Sequence, residues 1–276
     1  MEPRDRYFTP TPTPTFYYPL PQIPANTSRN EVLQTLPHRP EPHTTSPIPF
    51  FHLLSRLKTT KREGWRRFAI THGESIADHM YRMSLITMLC PTSLASKLDL
   101  QRCTKMALVH DLAEALVGDI TPVDGVAKSE KSRREEGTME FVCTDLLGEV
   151  EGGVVGRDLR VLWQEYEDGV TLESRFVHDV DKIELLLQMV EYERVYEGEL
   201  DLGEFARVAG KVGLEEVRVW AAEVLEERRA FWEGKGVVVK GEEGVGEKRK
   251  REQDAYYSSQ GKGEESEKAV KEAKAS

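Results

Sequence analysis

The chain has 276 residues, a formal net charge of −10 at pH 7 and 39% hydrophobic residues. This length can bury the core of one sizeable domain with tails, and the acidic balance argues against a general nucleic-acid-binding protein, which usually has a basic face. The sequence has no run of eighteen apolar residues and no apolar N-terminal signal core, so it predicts neither a membrane span nor a secreted protein.

Both ends of the chain are predicted to be disordered tails around one folded domain at residues 47–233. Residues 1–46 are rich in Pro and Thr, a composition that sustains neither a helix nor a sheet. Residues 234–276 are rich in Glu, Lys and Gly. The basic cluster Lys248–Arg251 has the form of a nuclear-localisation signal, although a solvated charge run explains it equally well. Three cysteines without a CxxC pair indicate free thiols, and we expect a cytoplasmic protein that also enters the nucleus if the cluster is a signal.

The domain is expected to open with a helix at Ile48–Lys58, followed by a basic loop that contains Trp65. The loop also carries Arg62, Arg66 and Arg67. Guanidinium groups are well suited to phosphate oxygens, but a basic loop by itself is more typical of a solvated surface.

Two helices are predicted next, at Ser75–Cys90 and at Asp99–Val117. Ser75 is a good N-cap residue, with Asp78 in the first turn, and the helix carries His79, which alone would more often be structural. The second helix ends at Gly118, and its residues His110 and Glu114 are spaced to share one face.

The stretch MALVHDLAEALVGDI, residues 106–120, places ionisable groups inside an apolar run. These groups are His110, Asp111, Glu114 and Asp119. Burying an ionisable group costs several kcal/mol unless it is paired or binds a metal. We therefore interpret this stretch as the centre of a site for a divalent cation.

Further helices are predicted at Lys128–Leu147, Asp158–Glu167, Thr171–Tyr196 and Leu214–Trp232. The charged first half of Lys128–Leu147 is most simply a solvated face. In Thr171–Tyr196, His178 and Asp181 interrupt the apolar stripe, and their spacing does not decide which of them is a ligand. The region outside the tails shows no convincing strand pattern, so we predict an all-α bundle of about six to eight helices.

The order of candidate ligands is a His, a His-Asp pair and a later Asp, each on an apolar helix. Such mixed nitrogen and oxygen donors suit Mn, Fe, Co, Ni or Zn, whereas Mg is less well suited to imidazole.

Four blocks in this order, ESIADHMYRMSL, ALVHDLAEALVGDITP, EKSRREE and DKIELLLQMVEYE, resemble the HD-domain 5′-deoxynucleotidases, in particular their eukaryotic branch. The resemblance covers roughly residues 49–232. It implies an HD-domain fold and a homodimer that uses a divalent cation (Co, Mn, Cu or Mg). It also implies hydrolysis of deoxyribonucleoside 5′-monophosphates to a deoxynucleoside and phosphate, without a polymeric nucleic acid or a membrane as partner.

The resemblance also implies roles for individual residues. The metal ligands that it indicates are His79, His110, Asp111 and Asp181. Glu114 matches the catalytic acid or base, and Asp119 matches a carboxylate that positions water and substrate. Glu114, Asp119 and the Ile120 carbonyl also match a second cation site. The expected substrate contacts are Trp65, Asp111, Asp119, Thr121 and Asp181.

One position differs from the bacterial members of the family, which have a phosphate-orienting arginine immediately before the tryptophan that Trp65 matches. Here that position is Gly64, and Arg62, Arg66 or Arg67 could substitute for it; the sequence does not choose among them. Two alternatives remain open: an HD phosphohydrolase acting on a cyclic, triphosphate or signalling nucleotide, and a non-catalytic HD scaffold.

Overall fold

The computed structural model describes residues 23–24, 27–121, 124–236 and 250–251. These residues form an all-α domain, and an isolated bridge between Lys61 and Ser75 is the β-type pairing recorded among them. The helices are α1 (Arg29–Thr35), α2 (Ile48–Leu54), α3 (Glu63–Arg66), α4 (Ile76–Met88), α5 (Thr92–Ala95), α6 (Leu100–Ala107), α7 (Glu114–Val117), α8 (Lys128–Glu140), α9 (Val154–Asp168), α10 (Leu172–Val195) and α11 (Glu215–Gly234).

The all-α prediction is confirmed. Six of the described helices have eight or more residues, which is within the expected six to eight, and the additional helices are short. Among the described residues, no helix combines the length and the apolar character that a bilayer span requires.

Helix α10 is the centre of the bundle, where it packs against α4, α6, α9 and α11. Its apolar residues Phe176, Val177, Val180, Ile183 and Leu186 are all buried. A second apolar cluster joins α1, α4, α7 and the segment after α8. Polar residues of the first turns of α4 and α7 and of the middle of α10 lie around the candidate site.

Helix α4 begins where the sequence predicted. The Ser75 side chain accepts a hydrogen bond from the Asp78 amide, and the Asp78 carboxylate accepts one from the Ser75 amide. This reciprocal capping box satisfies two amides that the first helical turn would otherwise leave unpaired. It fixes the position of His79, one residue further along the helix.

The predicted helix Asp99–Val117 is wrong as one continuous element. Helix α6 ends at Ala107, and the 108–113 turn segment follows it before α7. In this segment the Val109 amide bonds to the Met106 carbonyl, and the Leu112 amide to the Val109 carbonyl, both at 3.0 Å. These three-residue turns are tighter than α-helical ones, so the i, i+4 argument for His110 and Glu114 does not apply.

Residues 29–35 form helix α1, which differs from the disorder expected for residues 1–46. Ser28 and Glu31 make a full capping box, while Val32 and Leu33 are only 3% and 2% exposed. The Pro/Thr-rich surroundings obscured this short amphipathic signal. The predicted domain start at residue 47 stays a prediction. Residues 1–22 and most of the C-terminal tail lie outside the described residues.

Two later segments also differ from prediction. Helix α9 begins at Val154 rather than Asp158, after a 3-10 turn at Val150–Gly153. A 3-10 segment at Gly203–Lys211, absent from the sequence prediction, packs against α10. It contributes Phe205 and Val208 to the candidate site.

Candidate metal centre and active-site cavity

Four residues predicted as metal ligands converge from three elements distant in sequence. His79 comes from α4, His110 and Asp111 from the turn segment, and Asp181 from α10. His79 Nε2 is 3.3 Å from Asp181 Oδ1 and 3.8 Å from Asp111 Oδ2. His110 Nε2 is 3.2 Å from Asp111 Oδ2. Two imidazoles and two carboxylates therefore surround one small volume.

The unpaired imidazole nitrogens indicate that this volume suits a cation. Both Nε2 atoms are buried, and neither has a well-aligned hydrogen-bond partner, although carboxylate oxygens lie close to them. The other nitrogen of each ring is bonded: His79 Nδ1 donates to Glu184 Oε2 at 2.6 Å and His110 Nδ1 to the Ala107 carbonyl at 3.0 Å. This arrangement leaves both Nε2 lone pairs directed into the site, as metal-binding histidines require.

The charges around the four residues favour ionised carboxylates. Burial opposes ionisation, but the neighbouring histidines and Arg62 more than compensate, so the pKa of Asp111 lies well below its usual range. The pKa of Asp181 is lowered in the same way, chiefly by His79 and Arg62. Carboxylate oxygens and imidazole nitrogens are donors that Mn, Co or Zn would accept.

The structure separates Asp181 from its neighbours on α10, which spacing could not do. Asp179 accepts hydrogen bonds from the Gly213 and Leu214 amides and pairs with Lys182, so it caps the start of α11. His178 Nε2 donates to the Tyr166 carbonyl at 2.9 Å, and burial together with Lys182 lowers its pKa to about 4. Both residues therefore have structural partners outside the ligand group.

Glu114 is almost fully buried at the start of α7, and its Oε2 atom has no hydrogen-bond partner. Burial, Asp111 and Asp119 together raise its pKa well above the usual value for a glutamate. A raised pKa favours the protonated form of this buried carboxyl group, which is the form in which a general acid acts.

Asp119 and Ile120 follow Gly118, whose φ of +79° turns the chain sharply at the end of α7. Asp119 Oδ2 accepts a hydrogen bond of 2.7 Å from the Glu63 amide at the start of α3. Both residues line the cavity together with Thr121, whose amide and hydroxyl donate to Asp124. The Asp119 bond connects α3, and with it the basic loop, to the candidate metal centre.

The three arginines of the basic loop have different surroundings. Arg62 reaches the centre, where its guanidinium group lies 3.4 Å from Asp111 and 3.9 Å from Asp181. Arg67 lines the cavity but pairs with Glu204 at 2.8 Å. The Arg66 side chain is 42% exposed, pairs with Glu63 and lies outside the cavity lining.

Trp65 is 1% exposed, and its indole N–H donates to Glu74 at 2.7 Å. Its ring contacts Phe205, with 4.6 Å between ring centroids, and Tyr192 at 5.3 Å. It lines the cavity as a buried side chain of the cavity wall. Gly64 lies beside it, and a Cβ atom there would meet the Phe205 ring at 3.7 Å.

These residues border one cavity of about 420 Å³. Its lining includes residues that sequence reasoning did not select: Lys128, Lys131, Ser132, Glu135, Gln164, Tyr166, Glu167, Lys182, Leu185, Phe205 and Val208. Four of them are on α8, which the sequence indicated as a solvated face. Their spacing of three, one and three residues places them on one helical face, and this pattern was the sequence signal for a shared polar surface.

An all-α domain whose His, His-Asp and Asp side chains converge beside a cavity of about 420 Å³ is the arrangement expected of a metal-dependent hydrolase. The family model described as "HD domain" matches residues 54–218, and the chain belongs to this family.

Named relatives and solved structures agree with this membership. "5'-deoxynucleotidase hdd1" of Schizosaccharomyces pombe is 44% identical over 185 residues, covering 67% of this chain and 91% of that protein. "5'-deoxynucleotidase YGK1" of Saccharomyces cerevisiae is 40% identical and covers 70% of this chain and 88% of that one. The solved structure "HD domain-containing protein YGK1(YGL101W)" superposes with a TM-score of 0.54 at 33% identity, over 76% of this chain and 98% of that chain.

Proposed function

We propose that this protein is a metal-dependent 5′-deoxynucleotidase, a phosphoric monoester hydrolase that converts deoxyribonucleoside 5′-monophosphates to a deoxynucleoside and phosphate. The observation that carries the proposal is the convergence of His79, His110, Asp111 and Asp181, with two buried imidazole nitrogens directed at one point. The printed names of the relatives supply the substrate class.

The four ligands would hold a divalent cation, which supplies a Lewis acid for the phosphate oxygens and lowers the pKa of a water molecule. Arg62 is placed to orient the phosphate, because its guanidinium group already contacts two of the ligand carboxylates. We infer that Arg62 takes the role of the arginine that Gly64 lacks. Arg67, at the cavity wall, is a secondary candidate for binding the phosphate. The position of Arg66 favours a side chain that remains in solvent.

Glu114 would donate a proton to the 5′-oxygen as the phosphorus–oxygen bond breaks, a role that the raised pKa of its buried carboxyl group supports. Asp119 would orient the attacking water, from a position that its bond to the Glu63 amide holds. The alternative for these two carboxylates, with the Ile120 carbonyl, is a second cation site. Trp65 and Thr121 would border the substrate from the cavity wall.

Further parts of this proposal concern the identity of the cation, the oligomeric state and the cellular location of the protein. The donor set suits Mn or Co better than Mg, and Cu is a further candidate. We propose a homodimer in the cytoplasm, on the basis of the family resemblance. Of the suggested nuclear signal, Lys248 and Arg249 lie outside the described residues.

A substrate screen tests the proposal. Purified protein loaded separately with Co, Mn, Cu or Mg would be given the five deoxynucleoside monophosphates, the ribonucleoside monophosphates, deoxynucleoside triphosphates and cyclic nucleotides. We expect phosphate release chiefly from the deoxynucleoside monophosphates. A preference for triphosphates or cyclic nucleotides would assign another phosphohydrolase activity, and no hydrolysis with any cation would favour the scaffold.

A further inference from the structure

Helix α8 presents one polar face to the cavity, and neither the metal centre nor the proposed mechanism uses it. Lys128, Lys131, Ser132 and Glu135 all line the cavity, and their spacing places them on one side of the helix. The Lys131 side chain is only 15% exposed, so it projects along the cavity wall rather than into bulk solvent.

The charge of the cavity requires cations beyond Arg62. Its lining contains seven acidic residues, Asp111, Glu114, Asp119, Glu135, Glu167, Asp168 and Asp181, and five basic ones, Arg62, Arg67, Lys128, Lys131 and Lys182. A phosphate monoester enters with a charge near −2, which the carboxylates repel and the bound cation offsets only in part.

Two of the basic residues are committed to structural partners. Arg67 pairs with Glu204 at 2.8 Å. Lys182 is buried, pairs with Asp179 at 3.2 Å and donates to the His178 carbonyl at 2.9 Å. Moving Arg67 toward a substrate would break a contact between separate elements, and moving Lys182 would break both of its bonds within α10. The other two basic residues of the lining, Lys128 and Lys131, are on α8.

Lys131 has a carboxylate partner on its own helix. Its Nζ atom is 3.4 Å from Glu135 Oε1, one turn along α8. Lys131 also lies close enough to Glu114 and Glu167 for its charge to favour their ionised forms. It is therefore near the reacting groups, on a different wall of the cavity from the basic loop.

We propose that Lys131, supported by Lys128 and Ser132, binds the phosphate group of the substrate from the α8 wall, while Arg62 binds it from the loop at α3. An ammonium group and a hydroxyl one residue apart suit phosphate oxygens as a point charge and a donor. This inference rests on the proposed function and identifies a second phosphate contact for the same site.

Inorganic phosphate, the expected product, is the probe. Its inhibition constant would be measured on the metal-loaded protein, and its direct binding by calorimetry. We expect Lys131→Gln to weaken phosphate binding about tenfold, which corresponds to about 1.4 kcal/mol, and Lys131→Arg to restore most of it. The inhibition constant of a deoxynucleoside, which lacks phosphate, should stay the same.

Two control variants separate this contact from a structural effect. Glu135→Gln removes one carboxylate partner of Lys131 but keeps the ammonium group, so phosphate binding should stay equal or tighten. Lys105→Gln changes an exposed helical lysine outside the cavity and should have no effect. Phosphate binding that is unchanged in Lys131→Gln, or weakened equally in Glu135→Gln, would overturn the inference. Wild-type protein that does not hydrolyse deoxynucleoside monophosphates would instead contradict the proposed function.

Discussion

Arg62 and Arg66 lie four residues apart in one short loop, but they have different surroundings. Arg62 contacts Asp111 and Asp181, whereas Arg66 pairs locally with Glu63 near the surface. Arg62 precedes α3 in an extended conformation, whereas Arg66 is the last residue of that helix. Their identical chemistry therefore makes them a matched pair for testing phosphate orientation.

We expect Arg62→Gln to lower kcat/KM with dAMP about 10²-fold, a loss typical of removing one preorganised donor to a developing phosphate charge. Arg66→Gln should stay within twofold of the wild type, because its guanidinium group lies outside the cavity lining. Steady-state kinetics of both variants measure the difference. Equal losses in the two variants would mean that Arg62 is not the orienting group.

Glu114 and His110 are neighbours in sequence with separable roles. Glu114→Gln should reduce turnover at least 10²-fold, as expected for loss of a general acid, and keep the bound metal. His110→Ala should lose the metal itself, because it removes a nitrogen ligand. Elemental analysis beside phosphate-release assays distinguishes the two outcomes. A Glu114→Gln variant with full activity would exclude the catalytic role.

Glu184 bonds to the His79 ring nitrogen on the far side from Asp111 and Asp181, and we expect it to orient that imidazole. It accepts from His79 Nδ1 at 2.6 Å and from Arg82 at 2.6 Å, and it is fully buried. We expect Glu184→Gln to weaken metal binding about 10- to 100-fold, as for other carboxylates that hold a ligand histidine. Glu191→Gln, which removes a half-exposed partner of the same arginine, is the control. Metal titration gives the affinities, and equal values for both variants would refute the role.

At the scale of elements, the break after α6 determines the geometry of the HD pair. In a continuous α-helix, His110 and Asp111 would point about 100° apart. The three-residue turns of the 108–113 segment change this relation, and His110 Nε2 lies 3.2 Å from Asp111 Oδ2. The apolar neighbours Val109 and Leu112 are buried and hold these turns in place.

Helix α1 is a second element whose contribution can be measured. Leu33 is buried against the cluster that contains α7, so α1 supports the chain close to Glu114. We expect Leu33→Ala to lower the free energy of unfolding by about 2–4 kcal/mol through lost burial and a residual cavity. Gln34→Ala, at an exposed position of the same helix, should change it by less than about 0.5 kcal/mol. Denaturant unfolding measures both values, and similar small effects would place α1 outside the folded domain.

At the scale of the whole molecule, the centre joins residues about 100 positions apart, from His79 on α4 to Asp181 on α10. A cation bound there connects both apolar clusters, because α4 packs against α10 on one side and the α7 cluster on the other. Binding to the folded state alone stabilises it by about 2.7 kcal/mol at a free metal concentration 100 times Kd.

Removal of the metal with a chelator should therefore lower the Tm by several degrees, and adding Mn or Co should restore it. His110→Ala should show no response to either treatment, since it lacks one ligand. Thermal unfolding followed by circular dichroism measures the shift. A wild-type Tm that does not change with the chelator would show that the cation does not bind tightly to the candidate metal centre of the folded protein.

The sequence by itself determined the helical class and the Ser75 N-cap, and it indicated the residue types of the candidate metal centre. These features depend on short-range chemistry: apolar spacing, caps, and ionisable groups in apolar runs that need a partner. The resemblance selected Asp181 over His178, and Asp181 as a metal ligand stays a prediction.

Only the tertiary structure decided which arginine enters the site, that α8 lines the cavity, and that the helix carrying His110 and Asp111 is broken. These features depend on contacts between residues far apart in the chain, such as Arg62 with Asp111 and Asp119 with the Glu63 amide. A local pattern cannot show which face of a polar helix or loop another element will cover. For MALVHDLAEALVGDI, the sequence indicated that its charges needed partners, and the packing of α3, α4, α8 and α10 determined which ones they have.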